Sequence, residues 1–273
     1  MRALVLGGGG ITGIAWELGL LAGLRRLGTD LARADLIIGT SAGAYVGALL
    51  ATGVDLDEAV TAASRIDIEL SPRIDPTLLA EGFMLLNCSS VTPRDIRARL
   101  GDLARKAPVG DDGPHIARFA EHLPSHNWPA DPRLVITAVD TTTGDPTTWD
   151  ATANVPLPAA VAASCALPGV FPPVRIGNGW YMDGGVHSVT HANLAAAASA
   201  AVVVAPSGGM FRTSPASEVA ELGLDRSLLI APDTATRAAI GGNILDPGRR
   251  GPALAAGAAQ AESVATAVAA VWA

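Results

Sequence analysis

The sequence predicts an α/β fold built on a mainly parallel sheet, and two observations predict it. Short apolar runs that read as buried strands alternate with longer stretches of helical spacing along most of the chain. Of 273 residues, 49% are hydrophobic and 16% charged, a balance that supplies a large core and excludes disorder. No internal repeat or low-complexity linker divides the chain, so one domain over residues 1–273 is expected, with an insertion inside it.

Arg2 to Leu6 reads as the first buried strand. The loop Gly7-Gly8-Gly9-Gly10-Ile11-Thr12-Gly13 follows, and helical spacing runs from Ile14 to Leu27. Strand, glycine loop and helix together offer unpaired backbone N–H groups at a helix N-terminus, a place that favours an anion. Gly8, Gly10 and Gly13 also satisfy G-x-G-x-x-G, with Asp30 or Asp35 near the spacing of a ribose-binding acid. The loop alone does not separate a dinucleotide pyrophosphate from the oxyanion of an acyl-transfer intermediate, because both want the same donors.

The next strand, Leu36 to Ile38, runs into Gly39-Thr40-Ser41-Ala42-Gly43 and then into a small-residue helix ending at Ala51. Strand, sharp turn and helix are the context in which G-x-S-x-G is a nucleophile elbow. Gly39 and Gly43 let strand and helix approach, and the Ser41 hydroxyl projects at the positive end of a helix. A Gly/Ser-rich turn of a buried helix is the bland alternative.

Asp55 to Ile68 is another helical stretch. From about 71 to 132 the pattern breaks. Prolines recur and apolar segments are short, which reads as helices and loops inserted as a cap. Phe83-Met84-Leu85-Leu86 is its apolar cluster, and Phe83 and Leu86 are candidates to bind an acyl chain. His115, His122 and His126 match no metal spacing and are expected at the surface.

Leu134 to Val139 resumes the core, with Thr147 to Trp149 as a partner strand. Pro158 to Ala166 is helical. Trp180 to Met182 reads as a strand ending on Asp183-Gly184-Gly185, which suits a carboxylate held near another loop or an ordinary turn aspartate. Ala201 to Ala205 and Ser227 to Ile230 complete the strands, and Ala253 to Ala273 reads as a packed, alanine-rich helix.

Composition also narrows function. The net charge is −7 without a basic stripe, and aromatics are 4%, so no nucleic-acid footprint is expected. Cys88 and Cys165 make neither a disulfide framework nor a zinc site and fit a reducing cytoplasm. The apolar stretch from Ala3 to Leu24 is broken by glycines and Glu17, so it reads as part of the fold and not as a signal peptide.

Four blocks, in order, resemble the patatin-like phospholipase family, in particular its bacterial RssA-like serine hydrolases. They are Gly8 to Gly13, Gly39 to Gly43, the segment Ala162 to Pro173, which is similar to A-S-x-A-x-P-x-x-F-x-P, and Asp183-Gly184-Gly185. The resemblance implies a three-layer α/β/α sandwich and a lipid acyl hydrolase (phospholipase, lysophospholipase or esterase). It implies a Ser41–Asp183 dyad and an oxyanion hole from the amides of Gly8, Gly9 and Gly10, with no metal or cofactor. It implies a lipid or ester substrate met by transient contact with a membrane surface, in a cytoplasmic or peripheral setting. Two departures stand out. Thr12 occupies a loop position that usually carries Arg or Lys, and the segment Val186 to Asn193 lacks the usual N-x-P. Three rival readings stay open: a Ser-His-Asp esterase using His187 or His191, an acyltransferase with the same elbow, and a nucleotide-binding regulatory module using only the glycine loop.

Overall fold

A computed structural model describes residues 1–63, 92–208 and 214–273 of the chain. Phe83, Leu86, Cys88 and the first part of the expected cap, through residue 91, lie outside the described residues.

The sheet is eight-stranded and mixed. Its parallel part runs in the order β3 (Arg133–Asp140), β2 (Leu36–Gly39), β1 (Arg2–Leu6), β7 (Ala200–Val204), β8 (Ser227–Ile230). Three antiparallel strands extend it at the β3 side: β4 (Pro146–Trp149), β5 (Val174–Ile176) and β6 (Gly179–Asp183).

Both faces of the parallel part are covered, which is why β1, β2 and β7 read as unbroken apolar runs. Alternate residues divide between two cores, as the two-residue period of a strand requires. Leu4, Leu6 and Ile37 face α1 (Gly10–Arg26) and α2 (Ala42–Ala51). Ala3, Val5, Leu36 and Ile38 face Ala192, Ala195 and Val219 on the other side. The first layer also holds α6 (Leu157–Ser164) and α9 (Arg250–Trp272), together with α3 (Leu56–Ala63) and α8 (Thr234–Ile240) packed against α1. The second layer holds α7 (Pro215–Glu221) and α4 (Pro93–Lys106), whose Ile96 and Leu100 pack on Val139 and Met182.

The described part of the expected cap therefore divides in two. Helix α4 is docked on the sheet as an ordinary layer helix. Helix α5 (Asp112–His122) packs on α6 and forms a wall of the cleft described below.

Register fixes what meets what. Ile136 of β3 pairs with Gly39 of β2 and with Trp149 of β4, so those two strands flank β3 on opposite edges. Ala138 pairs with Thr147 of β4 and with Asp183 of β6, so β6 lies on the β2 edge. Strands β2 and β6 thus share one edge of β3 and run toward each other. Their C-terminal ends meet on either side of Thr137.

The segment 247–272 is the described helix long and apolar enough to cross a membrane by length and composition. Within the fold it packs on α1, where the backbone of Gly257 lies against that of Trp16 and the backbone of Leu254 against Gly19.

Candidate active site

The site begins where β2 ends. Ser41 adopts φ 53° and ψ −118°, a left-handed conformation that a side chain other than glycine rarely takes. Surrounding contacts hold it there. The Ser41 N–H donates to Ser164 Oγ at 2.8 Å, and the Cys165 thiol donates to the Ser41 carbonyl at 3.1 Å. A Cβ on Gly43 would lie 2.1 Å from the Leu6 carbonyl oxygen, so only glycine lets α2 start this close to β1.

Asp183 arrives from the opposite direction along the same edge of β3. The Ser41 hydroxyl donates to Asp183 Oδ2 at 2.7 Å, and Oδ1 accepts the Gly185 N–H at 2.7 Å. Asp183 is 4% exposed. Burial pushes its carboxyl up to about 7, against the opposing pull of the Ser41 and Gly185 hydrogen bonds. Gly184 must be glycine, because a Cβ there would sit 2.4 Å from Thr137 Oγ1.

Above both residues lies a cleft that is partly open to solvent. Its walls include Ile11, Ile14, Phe119, Leu167, Phe171 and Ile244, so it is mostly apolar, and the glycine loop forms one side. Gly8 lies against Ser41, but its amide donates to the Val189 carbonyl at 2.8 Å. This corrects the expectation that Gly8 supplies an oxyanion donor, because its N–H is already committed. The amides of Gly9 and Gly10 have no hydrogen-bond partner among the described residues. Gly10 makes the turn into α1 with φ +60°. Gly13 closes the loop by donating to the Gly9 carbonyl at 2.9 Å.

The remaining candidates fall into place around this centre. Thr12 is fully buried, and both its N–H and its hydroxyl donate to the Ile244 carbonyl, at 3.1 and 3.3 Å. His115 is not at the surface as expected. It is 5% exposed, stacks on Phe171 with centroids 4.9 Å apart, and donates from Nε2 to the Ala162 carbonyl at 3.0 Å. Burial lowers its pKa to about 4, so it is neutral. His122 and His126 bond only to nearby backbone carbonyls.

Neither His187 nor His191 bonds to Ser41 or Asp183. His191 Nδ1 meets Thr40 Oγ1 at 3.1 Å, Thr40 Oγ1 meets Thr137 Oγ1 at 2.9 Å, and Thr137 reaches the Gly39 carbonyl at 3.4 Å. Burial, with the His187 and Arg97 charges adding to it, lowers the His191 pKa to about 3. The geometry therefore joins Ser41 to an aspartate directly, with a neutral histidine bracing the underside of the elbow.

The acids proposed for a ribose are also engaged elsewhere. Asp30 caps the 3-10 turn 31–33, and Asp35 accepts the Arg2 N–H at 2.6 Å, at the end of β1 opposite the glycine loop. Among the described residues no group of three or more His, Cys, Asp or Glu side chains is placed to hold a metal ion.

Sequence reasoning missed Ser164, Cys165, His115, Arg118 and Thr137. Ser164 and Cys165 lie inside the quoted Ala162–Pro173 segment, which was the available signal. The others depend on packing between distant elements.

Comparison with known proteins gives three findings. Residues 4–196 match the family model described as patatin-like phospholipase. The fold is similar to the crystal structure of VipD from Legionella pneumophila, with TM-score 0.52 and 14% identity over 97% of this chain and 66% of that one. It also aligns with the type III effector protein ExoU at TM-score 0.47 and 18% identity, over 99% of this chain and 53% of that one. The chain thus spans about two thirds and about half of the lengths of these two structures. No curated protein matches the sequence.

Proposed function

The chain belongs to the patatin-like phospholipase family, and from that premise we propose that it is a serine lipid acyl hydrolase working through a Ser41–Asp183 dyad. One observation carries the reading. The Ser41 hydroxyl donates directly to a buried carboxylate whose pKa is pushed to about 7, the range a general base needs.

The chemistry then follows. Ser41 Oγ attacks the ester carbonyl as its proton passes to Asp183 Oδ2. The carbonyl oxygen becomes an oxyanion facing the glycine loop, where the Gly9 and Gly10 amides are the donors left uncommitted. Losing one such donor typically raises a barrier by about 3 kcal/mol. The C–O bond to the alcohol breaks, and the alcohol leaves with the proton from Asp183. A water molecule next gives its proton to Asp183 and attacks acyl-Ser41, which releases the fatty acid and returns the proton to the serine.

The apolar walls of the cleft suit an acyl chain better than a polar substrate. The substrate is therefore a lipid or similar ester, met at a membrane or micelle surface. The segment 71–132 acts in this reading as a partial cap. Helix α5 supports that role by supplying His115 and Phe119 to the cleft. Phe83 and Leu86 are the side chains proposed to complete the acyl channel, so replacing both with Ala is expected to harm long-chain esters far more than acetate esters.

The direct test is labelling with a fluorophosphonate followed by mapping of the modified residue, alongside hydrolysis of esters of graded chain length. Label on Ser41, lost in Ser41→Ala, is expected. An unlabelled protein with intact fold would overturn the reading.

A further inference from the structure

Among the described residues, the cleft holds one charged side chain that the proposed hydrolysis does not use. Arg118 lies on α5 between His115 and Phe119 in the set of residues that line the cleft. It is half-buried, and its guanidinium makes no ion pair or side-chain hydrogen bond among the described residues. Apart from Asp183, no other lining residue among the described residues is charged, since His115 is neutral.

A guanidinium in an apolar cleft is in a costly position once hydrocarbon fills the cleft and drives out water. A negative group on the ligand removes that cost. The planar fork of arginine also matches the paired oxygens of phosphate and carboxylate. The whole chain carries −7, so its overall field does not draw anions in, and a local cation must do so.

We propose that Arg118 is a specificity-determining residue that selects ligands carrying an acidic group, phosphate or carboxylate, on the same molecule as the apolar chain. The proposal deepens the hydrolase reading, on which it rests for the position of the ester beside Ser41.

The test measures binding, not turnover. Decyl phosphate, decanoate and decanol are titrated as monomers into the Ser41→Ala protein by calorimetry. At least one anion should bind about tenfold or more tightly than decanol. That preference should vanish in Ser41→Ala/Arg118→Gln and survive in part in Ser41→Ala/Arg118→Lys, with circular dichroism verifying the fold. A preference for the phosphate alone identifies a phosphate head group as the source of the charge. A preference for decanoate alone identifies a carboxylate.

Equal affinity for all three ligands, or a preference that survives Arg118→Gln, overturns the proposal. So does failure to bind any of them. The two readings fail separately. If the wild type takes fluorophosphonate on Ser41 but shows no charge preference, only the Arg118 assignment falls. If the charge preference holds but Ser41 is never labelled, Arg118 reads an anionic ligand in a protein that is not a hydrolase.

Discussion

At the scale of single residues, the proposed chemistry rests on one short contact and one displaced pKa. Ser41→Ala is expected to lower ester hydrolysis by several orders of magnitude with little change in melting temperature. Asp183→Asn should do nearly as much, and the double variant little more, because the two act as a unit. Rates should also rise with pH through about 7 and then level off, since the proposed base Asp183 can accept a proton only when ionised. The same displacement acts on stability. An unfolded aspartate titrates near 3.9, well below the folded value of about 7, so ionisation disfavours the fold. The wild type therefore loses stability relative to Asp183→Asn as pH rises from about 4 to 7, by on the order of a few kcal/mol, and the gap stays constant above that range. Melting curves of both proteins at pH 4, 6 and 8 check this, and a gap independent of pH would contradict it. Residues of this kind divide by how visible they are in the sequence. Ser41 and Asp183 are legible because local turn chemistry surrounds each. The Gly8 amide is not, because its Val189 partner is contributed by a loop about two thirds of the chain length away. His115 is not, because its burial depends on Phe171 and the Ala162 carbonyl.

At the scale of elements, the strands of the parallel core are legible to within a residue at each end, since unbroken apolar runs leave few alternatives, while α1 starts at Gly10, inside the stretch read as a loop. The short hairpin strand β5 is not, because Val174 to Ile176 carries no strand pattern without its neighbour β6. Helix α9 packs on α1 through contacts so close that side chains are excluded. A Cβ on Gly257 would lie 2.3 Å from the Trp16 carbonyl oxygen, while one on Gly251 would meet nothing within 4 Å. Gly257→Ala should therefore destabilise the protein by about 1–3 kcal/mol through forced separation of the two helices. Gly251→Ala should be neutral or stabilising by up to about 1 kcal/mol through helix propensity. Chemical denaturation of the pair decides it, and equal stabilities would show that the helices slide apart freely.

At the scale of the whole molecule, the three-layer arrangement follows from alternation of strands and helices, and the mixed edge is what alternation does not reveal. The sandwich docks α4, from the segment expected to form a cap, directly on the sheet. Strands β2 and β6 abut along one edge of β3, so β3 works as a ruler on which the proposed nucleophile and its proposed base are two marks. The 2.7 Å between Ser41 and Asp183 is then a property of interior sheet hydrogen bonds and not of surface loops. Interior ladders open only with the whole fold. Heat inactivation should accordingly track global unfolding. If activity, measured after brief heating with a small soluble ester, vanished several degrees below the loss of far-ultraviolet dichroism, the ruler would have to be softer than its hydrogen bonds imply.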